Sequence, residues 1–173
     1  MSKKELTKTS KLILYLAAFD DLVAPFLNIR EMHRRLRFGS QGSLNATIYR
    51  LQKRGWIKFV DKNAKRFMKL TKKGELEALI AKAYLPISQK WDGKWRMIVF
   101  DIPEESKEQR NLLRELLKRN NFYGMQASVY ISPHPLNREA IKYLQYSKLI
   151  NYIRIIKVEE MDNDKDLKKR FGL

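Results

Sequence analysis

The chain has no cysteine, which removes disulfides, thiolate zinc sites and cysteine nucleophiles, and fits a reducing compartment such as the cytoplasm. Histidine is almost missing too. His33 falls in a helical segment and His134 between prolines in "SPHPL", an arrangement that does not suggest a structural metal site. No Gly-rich phosphate loop is present, and no serine sits in a nucleophile-elbow context. Long apolar runs are also lacking, since a membrane helix needs roughly 18 apolar residues. The run "LILYLAAF" follows Lys3 and Lys4 as in a secretory leader, but Asp20 and Asp21 cut it short and no small-x-small site follows. Acidic residues are few: 19 against 36 lysines and arginines, for a net charge of +17.

What is present is enough apolar material to fold, 44% of 173 residues, in one sizeable domain or two small ones. The positive charge is uneven. Residues 1–90 carry +13 and residues 91–173 only +4. Such an asymmetry points to a polyanionic partner for the first half, and to nucleic acid over an anionic membrane because no long basic amphipathic helix stands alone.

Periodicity predicts three helices in that half. Residues 4–22 carry Leu12, Leu14, Tyr15, Leu16, Phe19 and Leu22, ending at Asp20, Asp21 and Pro25. A short second helix spans about Ile29 to Phe38, and "GSQG" reads as a turn. Ser43 is the expected cap of a third helix running to about Arg54, stopped by Gly55. Its stripe is Leu44, Ile48 and Leu51. Its far side holds Ala46, Tyr49, Arg50 and Lys53, flanked by Asn45 and Gln52: residue types that suit phosphates and base edges. "WIKFVDKNAKRFMKL" then alternates in period two, with "DKNAKR" as a hairpin tip bearing Lys62, Lys65 and Arg66. "LNATIYRLQKRGWI" followed by "LTKKG" resembles the recognition helix, wing and return of bacterial winged-helix regulators. That resemblance implies a winged helix-turn-helix over residues 1–85, with the third helix in the major groove and the hairpin along the backbone. Asn45, Tyr49, Arg50 and Lys53 are then the expected base and near-base contacts, Lys62, Lys65 and Arg66 the phosphate contacts, and Ser43 and Ala46 further DNA-binding residues.

A helix from about Lys72 to Tyr84 precedes a linker at residues 86–91. The pattern then changes to strands separated by helices over residues 92–173. Trp95–Ile102 is strand-like, and "SKEQ" reads as a capping box for a helix with Leu112, Leu113, Leu116 and Leu117. "MQASVYIS" reads as a strand, residues 137–148 as a helix and "YIRIIKV" as a further strand. This order predicts an α+β chain whose second part is a ferredoxin-like α/β sandwich, with its fourth strand near "NNFYG", among residues 132–137, or absent.

The stretch "WDGKWRMIVFDIPEESKEQRNLLRELLKRNNFYGMQASVYISPHP", with the closing "DNDKDLKKRF", resembles the central domain of the PaaX-type transcriptional repressors. That domain is itself similar to the small CRISPR adaptation endonuclease, the second Cas protein. The resemblance implies a cytoplasmic, duplex-DNA-binding repressor that dimerises through its second domain. PaaX-type repressors usually continue into a further C-terminal region. This sequence stops at Leu173, so the resemblance does not extend to the namesake's phenylacetyl-CoA response, and no effector is assigned.

Asp101 matches the aspartate implicated in metal-dependent cleavage in the CRISPR nucleases. The same residue stands in the "FDIPE" phrase of repressor-type sequences, so it does not separate the two. Strand parity puts Trp95, Met97, Val99 and Asp101 on one face, an expected dimer surface. The expectation is no enzyme and no cofactor, with Asp101 structural at the strand end. The alternatives are a nuclease in which two copies of Asp101 share Mg²⁺, and an adaptor that uses the fold for protein contacts. "DNDKD" mimics the start of a calcium loop, but Leu167 and Leu173 stand where that loop needs Gly and Glu. Its acids are expected to open a last short helix ending in Lys168, Lys169 and Arg170.

Overall fold

The structure, a computed structural model, describes residues 7–18, 29–37, 39–62, 65–86 and 90–173, and the side chains of all of these except residues 29–32, 62 and 65–67. By its internal packing the chain divides into two compact units, Met1–Lys82 and Ala83–Leu173.

The first unit contains α1 (Lys8–Ala17), α2 (Ile29–Leu36), α3 (Gln41–Lys53), the antiparallel hairpin β1 (Ile57–Lys62) and β2 (Lys65–Leu70), and α4 (Lys72–Ala83), whose last residue opens the second unit. Thr7 caps α1 by accepting from the Ser10 N–H at 3.1 Å. The expected stop at Asp20, Asp21 and Pro25 lies outside the described residues. The cap of α3 is Ser40, not Ser43. Ser40 Oγ accepts the Ser43 N–H at 3.1 Å, so Gly42 lies inside the helix and not in a turn before it. Arg54 and the positive-φ Gly55 (φ 68°) end the helix. Leu12, Ile13, Leu16, Leu44, Ile48, Leu51, Ile57, Met68, Leu70 and Ala78 form one buried cluster. The helical stripe and the period-two strands therefore meet in a single core.

The second unit contains β3 (Trp95–Phe100), α5 (Lys107–Arg119), β4 (Tyr123–Gln126), β5 (Val129–Ser132), α6 (Arg138–Tyr146), β6 (Ile153–Val158) and α7 (Lys165–Phe171). The sheet is fully antiparallel in the order β4-β5-β3-β6, the connectivity of a ferredoxin-like sandwich. The fourth strand is β4, at the "NNFYG" position. "MQASVYIS" is accordingly not one strand: Met125 and Gln126 belong to β4, and Ala127 and Ser128 make the turn into β5. Ser106 precedes α5 without a side-chain cap bond, so the expected capping box is not formed.

Residues directly opposite in a sheet share a face. Ile98 stands opposite Tyr130, while Met97 stands opposite Ile131 and Ile156. Ile98, Phe100 and Tyr130 are buried on one side, and Leu113, Leu116 and Leu117 of α5 with Ala140 and Leu144 of α6 supply the apolar stripes that cover it. On the other side Trp95 and Ile131 pack against Leu167 of α7, with Trp91, Met97, Val158, Met161 and Phe171 around them. Asn120 and Asn137, both buried, fasten the chain where this unit begins. Asn120 Nδ2 donates to the Ala83 carbonyl at 2.8 Å; Asn137 Nδ2 donates to Asn120 Oδ1 at 3.0 Å and to the Leu85 carbonyl at 2.6 Å.

Candidate nucleic-acid interface

Burying Leu44, Thr47, Ile48 and Leu51 fixes the rotation of α3, and everything else on the helix follows from that. Asn45, Ala46, Tyr49, Arg50, Gln52 and Lys53 are exposed, Tyr49 at 65%. Two amides, a small residue, an aromatic and two cations therefore stand exposed along one helix. Ser43 is half-buried, and its hydroxyl accepts from Lys8 Nζ at 2.8 Å, which joins the start of α1 to the start of α3. Neither helix carries an acidic residue in its first turn. The Arg50 guanidinium donates through Nη2 to the Thr47 hydroxyl at 3.1 Å.

The hairpin adds cations in an energetically unfavourable pattern. Lys58 stands directly opposite Lys69, and Lys62 opposite Lys65 in the same register. Like charges at directly opposed positions destabilise a sheet. Lys58 and Lys69 are both exposed, so water screens their repulsion, and a bound polyanion would relieve it. The side chains of Lys62, Lys65 and Arg66 lie outside the described residues. Lys8, Lys58 and Lys69 join the cations expected from sequence: Lys8 lies 35 residues from Ser43, and the other two sit in the strand arms outside the hairpin tip.

In the second unit, the two phrases "WDGKW" and "DNDKDLKKRF" come together. Asp92 accepts the Lys94 N–H at 3.1 Å around the positive-φ Gly93 (φ 79°), and it pairs with Arg96 at 2.5 Å. The hydrogen bond from Arg96 holds the Asp92 carboxyl down at about 2. The rings of Trp91 and Trp95 lie 5.3 Å apart, that of Phe171 packs tilted 5.7 Å from Trp95, and Arg170 stands 3.9 Å over the Tyr123 ring. Asp164 opens α7 without a cap bond. Its carboxylate instead accepts from Trp95 Nε1 at 3.0 Å and pairs with Lys168 at 2.9 Å, which together hold it below the usual carboxylate range.

This docking changes the expected dimer face. Trp95 is buried beneath α7, whereas Met97 and Val99 remain half-buried, and Ile156 on the same side is exposed. Asp101 lies one residue past β3, exposed, its N–H donating to the Tyr152 carbonyl at 3.0 Å. Among the described residues, no group of three or more acids or histidines is arranged to hold a metal ion. Nor, among the described residues, is any helix long and apolar enough to cross a membrane.

Residues 88–169, all within the second unit, match the family model described as the PaaX protein central Cas2-like domain. No curated protein matches the chain.

Proposed function

We propose that the chain is a PaaX-like transcription regulator: a cytoplasmic, sequence-specific repressor that binds duplex DNA as a dimer. In this reading the first unit is a winged helix-turn-helix. Its α3 enters the major groove with Asn45, Ala46, Tyr49, Arg50 and Lys53 toward base edges, and Ser43 and Lys8 sit at its phosphate end. The hairpin follows the backbone with Lys58, Lys62, Lys65, Arg66 and Lys69. The observation that carries the reading is the free polar face of α3 followed directly by a hairpin that stacks lysine against lysine. The second unit dimerises the protein around Met97, Val99 and the exposed Ile156, which brings two copies of α3 to an inverted-repeat site.

The test is fluorescence anisotropy on duplex DNA across a salt series. Changing Lys58 and Lys69 together to Ala is expected to weaken binding to all sequences and to reduce the log–log salt slope by up to roughly 1.8, at about 0.9 per lost phosphate contact. The same change removes a like-charge pair, so stability should hold or rise by a few tenths of a kcal/mol. An unchanged slope would take the hairpin out of the footprint, and no duplex binding at low salt would leave the adaptor reading.

The exposed carboxylate of Asp101, at the end of the central strand, favours one second reading, a Mg²⁺-dependent endonuclease that draws its second carboxylate from the partner copy. Mg²⁺-dependent cleavage of DNA or RNA that Asp101→Asn abolishes would establish that reading over the repressor.

A further inference from the structure

Thr47 lies on the rim of the exposed α3 face, fully buried, and its hydroxyl makes two hydrogen bonds. It donates to the Ser43 carbonyl oxygen at 2.8 Å and accepts from Arg50 Nη2 at 3.1 Å. A hydroxyl has one proton and two lone pairs. Donation to Ser43 therefore fixes where the lone pairs point, and one of them receives the arginine. An exposed arginine otherwise samples many rotamers, and ordering it on binding costs affinity.

The bond uses one of the five guanidinium N–H donors. The other four stay available, so whichever Nη2 proton is engaged, one of the two bidentate edges, Nη1/Nη2 or Nε/Nη2, still offers two parallel donors. That pair matches the two acceptors of guanine in the major groove, O6 and N7. It does not match adenine, which presents an acceptor beside a donor, or cytosine and thymine, which offer no such pair.

We propose that Thr47 is a positioning residue: it holds the Arg50 guanidinium in one orientation, so that the protein selects guanine at one base pair of its site. The inference rests on the duplex-DNA reading given above and deepens it by naming a base and the side chain that sets it. It also separates Arg50 from Lys8 and the hairpin cations, which would neutralise phosphate without reading sequence.

The experiment is a selection from randomised duplexes by the full-length protein, followed by anisotropy titration of the selected duplex and of its single-base replacements at fixed salt. Wild type, Thr47→Ser, Thr47→Val, Arg50→Lys and Arg50→Ala are compared, each with its thermal unfolding curve. Thr47→Ser keeps the hydroxyl, Thr47→Val keeps the shape without the acceptor, and Arg50→Lys keeps the charge without the fork. The wild type is expected to prefer guanine at one position by between about fivefold and about 150-fold, the range of one bidentate arginine–guanine pair. Thr47→Ser should keep that preference. Thr47→Val and Arg50→Lys should lose most of it at that position alone, with preferences elsewhere unchanged.

A guanine preference that survives in Thr47→Val overturns the proposal, as does an Arg50→Ala variant that weakens all sequences equally. If Thr47→Val does not fold, the contrast between Thr47→Ser and Arg50→Lys decides, and equal discrimination in the two overturns it. A wild type that binds no duplex removes the regulator reading itself. A wild type that selects a site while Thr47→Val selects the same one removes only the role of Thr47.

Discussion

A methyl group added at Gly74 would fall 1.9 Å from the Trp56 carbonyl oxygen, 2.9 Å from its carbon and 3.1 Å from Leu70 Cδ2. Gly74 is the third residue of α4, and the helix starts where it does because three bonds meet there. The Thr71 N–H donates to the Trp56 carbonyl at 3.0 Å, the Thr71 hydroxyl donates to the Gly55 carbonyl at 2.6 Å, and the Gly74 N–H donates to that hydroxyl at 3.1 Å. Gly74→Ala sets two effects against each other. Helix propensity alone favours alanine by about 1 kcal/mol. Relieving the clash requires backbone to retreat from backbone by more than about 1 Å, at the upper end of the roughly 1–3 kcal/mol that overpacking costs. It also disturbs bonds worth about 1 kcal/mol each. The steric effect wins, and the net loss is about 2–4 kcal/mol. In a unit of this size each kcal/mol moves the midpoint by about 4–8 °C, so the Tm of the first unit should fall by about 10 °C or more in a circular-dichroism melt. Thr71→Ala, which removes the cap and the bond to the Gly55 carbonyl but leaves the approach at Gly74 untouched, should cost about 1–2 kcal/mol. A Gly74→Ala variant as stable as wild type, or more so, would refute the close approach and the account of α4 built on it.

Asn120→Ala should destabilise the second unit by about 1–2 kcal/mol in urea unfolding, because it removes two buried hydrogen bonds, Asn120 to the Ala83 carbonyl and Asn137 to Asn120, while Asn137 Nδ2 keeps the Ala83 carbonyl at 3.2 Å and the Leu85 carbonyl at 2.6 Å; an unchanged midpoint would mean that water replaces the side chain. Asp92 has a folded-state value of about 2 against an ordinary 3.8. Its contribution is therefore complete above the ordinary value and disappears as pH falls through about 2. Asp92→Asn should accordingly make the acid-unfolding limb between those values shallower, and equal slopes in the two proteins would place the acid sensitivity elsewhere.

The parts of the fold that were legible share one property, that the periodicity and the burial are local. Leu44, Ile48 and Leu51 repeat at helical spacing and are buried; Ile57, Met68 and Leu70 alternate and are buried. The exposed face of α3 followed from the same stripe, so its residues were readable before any contact was known. The misses are residues whose role depends on something distant or on a choice between equals. Ser40 and Ser43 are both good caps, and only the backbone of Ser40, extended at φ −154° and ψ 158°, decides between them. The β4–β5 turn at Ala127 and Ser128 carries no glycine, proline or asparagine to announce it, so the hairpin looked like one strand. Trp95 looked free because parity says which face a residue takes but not what covers it, and its cover, α7, comes 70 residues later in the sequence. Thr47 was passed over because a buried threonine among leucines gives no sign that its hydroxyl receives an arginine.

The position of β3 also dictates an order of assembly. It is the first strand of its sheet in the chain and an inner one in space, and both of its neighbours are made later: Val99 pairs with Val129, and Trp95 with Val158. The first unit closes its hairpin through neighbours in sequence, Lys62 beside Lys65, and can fold while the chain is still being synthesised. The second cannot. Until β6 and α7 leave the ribosome, "WRMIVF" has neither its second partner strand nor the helix that shields Trp95. During that interval a finished N-terminal unit is tethered to an uncovered apolar strand, so chaperone demand and aggregation in this protein concentrate on its C-terminal half.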